Sequence, residues 1–255
     1  MFLALDIGNT SISIGLFKGS VLKRFWRIAT RHGEMADEYA VLLISLLEAE
    51  NYQVSQVEAC AVCAGVPKVR TAFVDMLRRY FKIDPLVVGS GVKTGIKILT
   101  DNPKEVGADR IVNAVAAKYK YNQAAIVVDL GTATTLDVIN SRGEYLGGVI
   151  APGIELAAES LSEKAAALPS VELAVPAHVI GRNTVDAMKS GIVYGYAELV
   201  NGLVARVQAE MDELCLVIAT GGYAELVAPH ANRIQKVDSV LTLEGLRLVY
   251  FMNRA

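Results

Sequence analysis

An apolar run ending in Asp-x-Gly and followed by hydroxyl residues occurs twice in this 255-residue chain, nearly half a chain apart. No other feature restricts the fold as much. Residues 1–10, MFLALDIGNT, and 124–135, AAIVVDLGTATT, each have the form of a fully buried strand entering a tight turn. Each copy continues into a hairpin. Residues 12–17, a turn at 18–20 and residues 21–26 follow the first, while 136–139, a turn at 140–143 and 144–146 follow the second. Later apolar segments ending in small residues, 57–65 and 214–222, supply one inner strand to each half. Apolar spacings of three and four predict helices over 34–50, 103–121, 155–168 and 184–214. Hairpins first and helix-separated strands afterwards imply an α/β chain of two duplicated lobes, each a mixed β-sheet covered by helices. The repeat alone sets the expected division at 1–117 and 118–255.

Composition narrows the class of partner. With 53% hydrophobic and 20% charged residues the chain is a folded globular protein. A net charge of −2, with no stretch mixing basic and aromatic residues, argues against nucleic acid. No run reaches the roughly 18 apolar residues of a membrane span. Asp6 interrupts what a signal peptide would need, and three cysteines cannot all pair, so a cytoplasmic location is expected. Cys60 and Cys63, three apart on a strand, should point to opposite faces as buried thiols. His32, His178 and His230 form no spaced metal pair.

The first turn, Asp6-Ile7-Gly8-Asn9-Thr10-Ser11, offers what a triphosphate needs. Gly8 permits close backbone approach, amides and hydroxyls donate hydrogen bonds, and Asp6 can hold Mg²⁺ through its water shell. Plain turn chemistry would also choose Asp and Asn here, and it is the second copy that tilts the balance. The loop lacks lysine, so Mg²⁺ would supply most of the neutralising charge, with Lys18 a contributor. In the second turn Thr132 would touch a phosphate and Asp129 a cation, facing the first loop. Gly221 and Gly222 would lie against an adenosine. Neither common nucleotide loop, G-x-x-x-x-G-K-[ST] or G-x-G-x-x-G, is present, and Gly91-Val92-Lys93-Thr94 lacks the Gly-Lys adjacency. Asp101-Asn102-Pro103-Lys104-Glu105 has the form of a helix start with Asn102 as cap and Glu105 reaching back. Gly107, Ala108, Asp109 and Arg110 would then occupy the second turn. Asp109 could take a proton from a substrate hydroxyl and Arg110 could grip a carboxylate, although both also suit an exposed helix surface. Gly191 and Gly195 interrupt a helical pattern, which close packing of another helix, within the fold or across a dimer, would compensate.

Together these segments resemble the type III pantothenate kinases, within the superfamily of actin, hexokinase and the acetate and sugar kinases. The carriers are DIGNT (6–10), DNPKEVGADR (101–110), VDLGTATT (128–135), GGVIAPG (147–153), GRNT (181–184) and TGG (220–222). The resemblance implies a ribonuclease H-like, actin-like ATPase fold and transfer of the ATP γ-phosphate to the 4′-hydroxyl of pantothenate, opening coenzyme A synthesis. It extends the ATP loop to Ile12 and Ser13 and keeps Thr132 in it. Pantothenate falls to Gly107, Ala108, Asp109, Arg110 and Thr184, with Asp109 as general base. Asp129 becomes the ligand of a monovalent cation, K⁺ or NH₄⁺, required beside Mg²⁺, and a homodimer is implied. Thr100 departs from the pattern, since many relatives carry tyrosine there. A nucleotide-binding regulator on the same fold, or a kinase of another small hydroxy acid, are the alternative readings.

Overall fold

Alternating large aliphatic residues build the first sheet. β1 (Phe2–Ile7), β2 (Ser11–Lys18) and β3 (Val21–Ala29) form an antiparallel meander. After α1 (Ala36–Ala49) comes β4 (Ala59–Ala64), and after α2 (Pro67–Met76) comes β5 (Leu86–Val87), so that the strand order is β3-β2-β1-β4-β5. β4 lies parallel to β1, and β5 parallel to β4. Period-two side chains send Leu3, Leu5, Ile7, Ile12, Ile14 and Leu16 to one face, where Leu43 and Leu47 of α1 and Phe73 and Met76 of α2 cover them. Each such side chain contributes roughly 1.5–3 kcal/mol by leaving water. Cys60 joins this core and Cys63 does not, in keeping with opposite faces; both are buried.

The computed structural model describes residues 1–254. β6 (Lys97–Ile98) and α3 (Ala108–Tyr121) lead into a second meander of β7 (Ala125–Leu130), β8 (Ala133–Ile139) and β9 (Glu144–Pro152). α4 (Ile154–Lys164) and α5 (Thr184–Glu210) precede β10 (Leu216–Thr220), followed by α6 (Ala224–Val227), β11 (Lys236–Val237) and α7 (Leu241–Met252). The second sheet has the order β11-β10-β7-β8-β9-β6, the first order with one strand added beyond β9. Strand lengths and burial repeat as well: β1 and β7 have six residues each with the same buried pattern, and β3 and β9 have nine each.

The units are not cut by a single break. Residues 1–95, 102–116 and 242–254 cluster together, as do 96–101 and 117–241. α7 therefore belongs with the first sheet: Leu243 packs on Gly15, Tyr250 on Phe2, and Gly245 sits against the Val112 carbonyl of α3. Thr242 Oγ1 donates to Asn113 Oδ1 at 2.7 Å in the same buried layer. In the second unit, Lys120 Nζ and Tyr121 Oη both reach Asp238 Oδ2 at 2.8 Å. Among the described residues no helix is long and apolar enough to cross a membrane.

Candidate active site

The first turn is braced by the end of β3. Gly8 N–H donates to the Ser11 carbonyl at 3.0 Å, Thr30 N–H to the Thr10 carbonyl at 2.9 Å, and the Thr30 hydroxyl to the Gly8 carbonyl at 2.8 Å. A Cβ at Gly8 would meet the Ser11 carbonyl at 2.9 Å, so glycine is the residue that lets this turn close. Asn9 and Thr10 are exposed at its tip, with Asp6, Ser11 and Ser13 half-buried beside them. Ile7 and Ile12 turn into the hydrophobic core, leaving only their backbone to the loop. Lys18 is not a member of this site. Ser13 pairs with Asp6, whereas Lys18 ends β2 five residues on, roughly 17 Å along a strand. The nearby cation is instead Arg27, whose Nε donates to Ser11 Oγ at 3.0 Å. It carries no motif and becomes visible only through strand register.

The 101–110 segment folds differently from the sequence expectation. Pro103–Glu105 is one short 3₁₀ turn, Val106 is extended, and α3 starts at Ala108, which puts Asp109 in the first helical turn rather than the second. Asn102 does not cap through its side chain; its Nδ2 donates to Glu105 Oε1 at 2.6 Å. The restart folds Asp109 back over Gly107, where a Cβ would strike its Oδ1. Ala108 and Arg110 are half-buried on either side. Burial pushes the Cys63 thiol well up, and the negative charges of Asp6 and Asp109 push it further. Asp6 is the direct register partner of Cys63 across β1 and β4.

In the second turn Gly131 N–H donates to the Ala133 carbonyl at 3.1 Å. Thr132 is exposed at the tip, and a Cβ at Gly153 would collide with its carbonyl, so the entry to α4 packs directly under the turn. Tyr196 Oη holds that entry by donating to the Gly153 carbonyl at 2.9 Å. Asp129 is half-buried and lies against bare backbone: Gly221 adopts φ +91°, and a Cβ there would collide with Asp129 Oδ1. Thr184 is the first residue of α5, after Asn183 caps the helix by accepting from Asp186 N–H at 2.9 Å. It borders a cavity of about 410 Å³ whose walls include Leu161, Met188, Gly191 and Tyr196. Among the described residues nothing outside the helix's own nearby backbone lies within 4 Å of a Cβ built at Gly191 or Gly195. Thr100 lies near Gly147, and its Oγ1 is buried without a hydrogen-bond partner.

Two meanders with matched Asp-x-Gly turns, each followed by helix-linked parallel strands, define the fold shared by actin-like ATPases and sugar kinases. Solved structures share this frame. The activator of 2-hydroxyisocaproyl-CoA dehydratase from Clostridium difficile with bound ADPNP matches with a TM-score of 0.57 at 14% identity, over 98% of this chain and 94% of that one. The Acidaminococcus fermentans (R)-2-hydroxyglutaryl-CoA dehydratase component A gives 0.59 at 14%, over 100% and 99%. At such identities the likeness is one of fold alone. The family comes from sequence: the type III pantothenate kinase model matches residues 2–206. A type III pantothenate kinase of Dehalococcoides mccartyi is 50% identical over 251 residues, 98% of this chain and 95% of the relative. The chain belongs to the type III pantothenate kinases, and membership makes it a kinase that phosphorylates pantothenate in coenzyme A biosynthesis.

Proposed function

We propose that the chain transfers the γ-phosphoryl group of Mg²⁺·ATP to the 4′-hydroxyl of pantothenate, in the cytoplasm and as a homodimer. The observation that carries this reading is the first turn itself, where Gly8 lets the backbone close, Asn9 and Thr10 stand exposed, and Asp6, Ser13 and the Ser11-bonded Arg27 share one face of the sheet beside it. Asp6, a single half-buried carboxylate beside exposed amides and hydroxyls, suits an ion that arrives with phosphate and water ligands of its own. The loop from Asp6 to Ser13, with Thr132 from the second turn, binds the nucleotide. Asp129, a half-buried carboxylate at the end of β7, is assigned to K⁺ or NH₄⁺. A bound metal supplies charge neutralisation.

The remaining work belongs to side chains. Asp109 accepts the hydroxyl proton, Arg110 pairs with the pantothenate carboxylate, and Gly107 and Ala108 let the substrate approach the helix start. A loose phosphoryl transition state asks for positioning more than for a strong base, so an ordinary carboxylate suffices. Thr184 contributes from the rim of the apolar cavity. Thr100, whose hydroxyl is buried without a partner, stands where many relatives place tyrosine. The open faces of Gly191, which lines that cavity, and of Gly195 favour a second copy as the compensating helix.

Coupled ADP release over a panel of small hydroxy acids, in K⁺ and in Na⁺, tests the reading. Turnover should require pantothenate, rise with K⁺, and fall by about 10²-fold or more in Asp109→Asn. ATP binding without pantothenate-dependent turnover would favour a regulator, and turnover on another acid would move the substrate.

A further inference from the structure

Transverse register makes Arg27 stand out. Across the first sheet Cys63 pairs with Asp6, Asp6 with Ser13, and Ser13 with Arg27, so one row of side chains on one face runs from β4 to β3 through the end of the Asp-x-Gly strand. Arg27 ends that row, exposed, with its Nε on Ser11 Oγ at 3.0 Å. The other arginines around β3 are neutralised: Arg24 pairs with Glu50 at 2.6 Å and Arg31 with Glu34 at 2.7 Å. Arg27 has no carboxylate partner among the described residues, and Ser11 occupies only one of its donor positions.

A guanidinium tethered through Nε presents its two terminal NH₂ groups as a planar fork, the geometry that matches two oxygens of a phosphate. A phosphate loop without lysine needs such a charge. The copy in the second unit provides an internal control. The matching row runs Thr220, Asp129, Thr135, Ile150, ending in an apolar side chain that is 67% exposed. Edge-strand solubility alone would not ask for arginine in one copy and accept exposed isoleucine in the other.

We propose that Arg27 is a phosphate-binding residue of the kinase reaction, donating its free fork to the terminal phosphates of the nucleotide while Ser11 fixes its orientation. The proposal rests on the first turn being the nucleotide loop. It is tested on the full-length protein by calorimetric titration with Mg²⁺·ATP and by competition with inorganic tripolyphosphate, which has no nucleoside. Arg27→Gln should weaken both by about 10- to 100-fold at an unchanged melting temperature. Arg27→Lys should recover part of the loss, and Arg24→Ala should stay within about twofold of wild type. Wild-type affinity in Arg27→Gln overturns the proposal, as does a loss that lysine does not restore or that comes with a lower melting temperature. Gly8→Val in the same titration separates the two levels: if it weakens ATP while Arg27→Gln does not, the loop assignment stands and only Arg27 is removed from it. If neither weakens ATP, the loop assignment falls too.

Discussion

The two Asp-x-Gly turns stand on the same scaffold and differ in what surrounds them. Three residues link β1 to β2, and their tip is exposed; two link β7 to β8, and α4 packs under them. Asp6 has Ser11, Ser13 and the Arg27 row for neighbours, with Asp109 acting on the same thiol. Asp129 has glycine backbone, buried Thr220 and, two strands further, exposed Ile150. Duplication has kept the strands, where core packing tolerates little change, and has freed the turns and the outer strand to specialise. The first turn presents exposed backbone and hydroxyls beside an arginine, and the second holds one carboxylate against bare backbone.

Substitutions at the second turn probe this contrast. Gly221→Ala should have the largest effect. Its φ of +91° is strained for an L side chain, and the new methyl would displace Asp129. A loss of roughly 1–3 kcal/mol is expected, read as a melting temperature lower by about 2–4 °C per kcal/mol in a chain of this size, together with a weakened response to K⁺. A melting temperature and K⁺ response both like wild type would mean that Asp129 does not depend on that glycine. A smaller change of opposite sign is expected at Thr134, which is fully buried and whose Oγ1 has no partner. Replacing the hydroxyl by a methyl in Thr134→Val should stabilise the fold by about 1 kcal/mol. A drop in thermal stability would show that the hydroxyl is satisfied by water.

Much of the shared scaffold is legible in the amino-acid sequence. Both turns, both hairpins and the inner strands follow from apolar runs punctuated by Asp-x-Gly, because a buried strand leaves a continuous signal. β3 and β9 run several residues past their expected ends, since ladder pairing carries them through residues with weak strand preference. β5, β6 and β11 are two residues each, defined by partners and not by composition. α2 and α7 are not among the helices expected from the sequence, and only packing assigns α7 to the first sheet. The Asn-Pro pair at 102–103 does mark a turn, but extended Val106 stops it after three residues, and this moves Asp109 into the first turn of α3. Lys18 and Arg27 show the same limit from two sides. Sequence distance from the loop favours Lys18, while antiparallel register sends Lys18 away and brings Arg27 back.

The division of labour between the turns is tested most directly by calorimetric titration of Mg²⁺·ATP, without K⁺, into Asp6→Asn and Asp129→Asn. The account predicts a loss of about tenfold or more for Asp6→Asn and affinity within about threefold of wild type for Asp129→Asn. Equal losses in both, or the larger loss at Asp129, would contradict it.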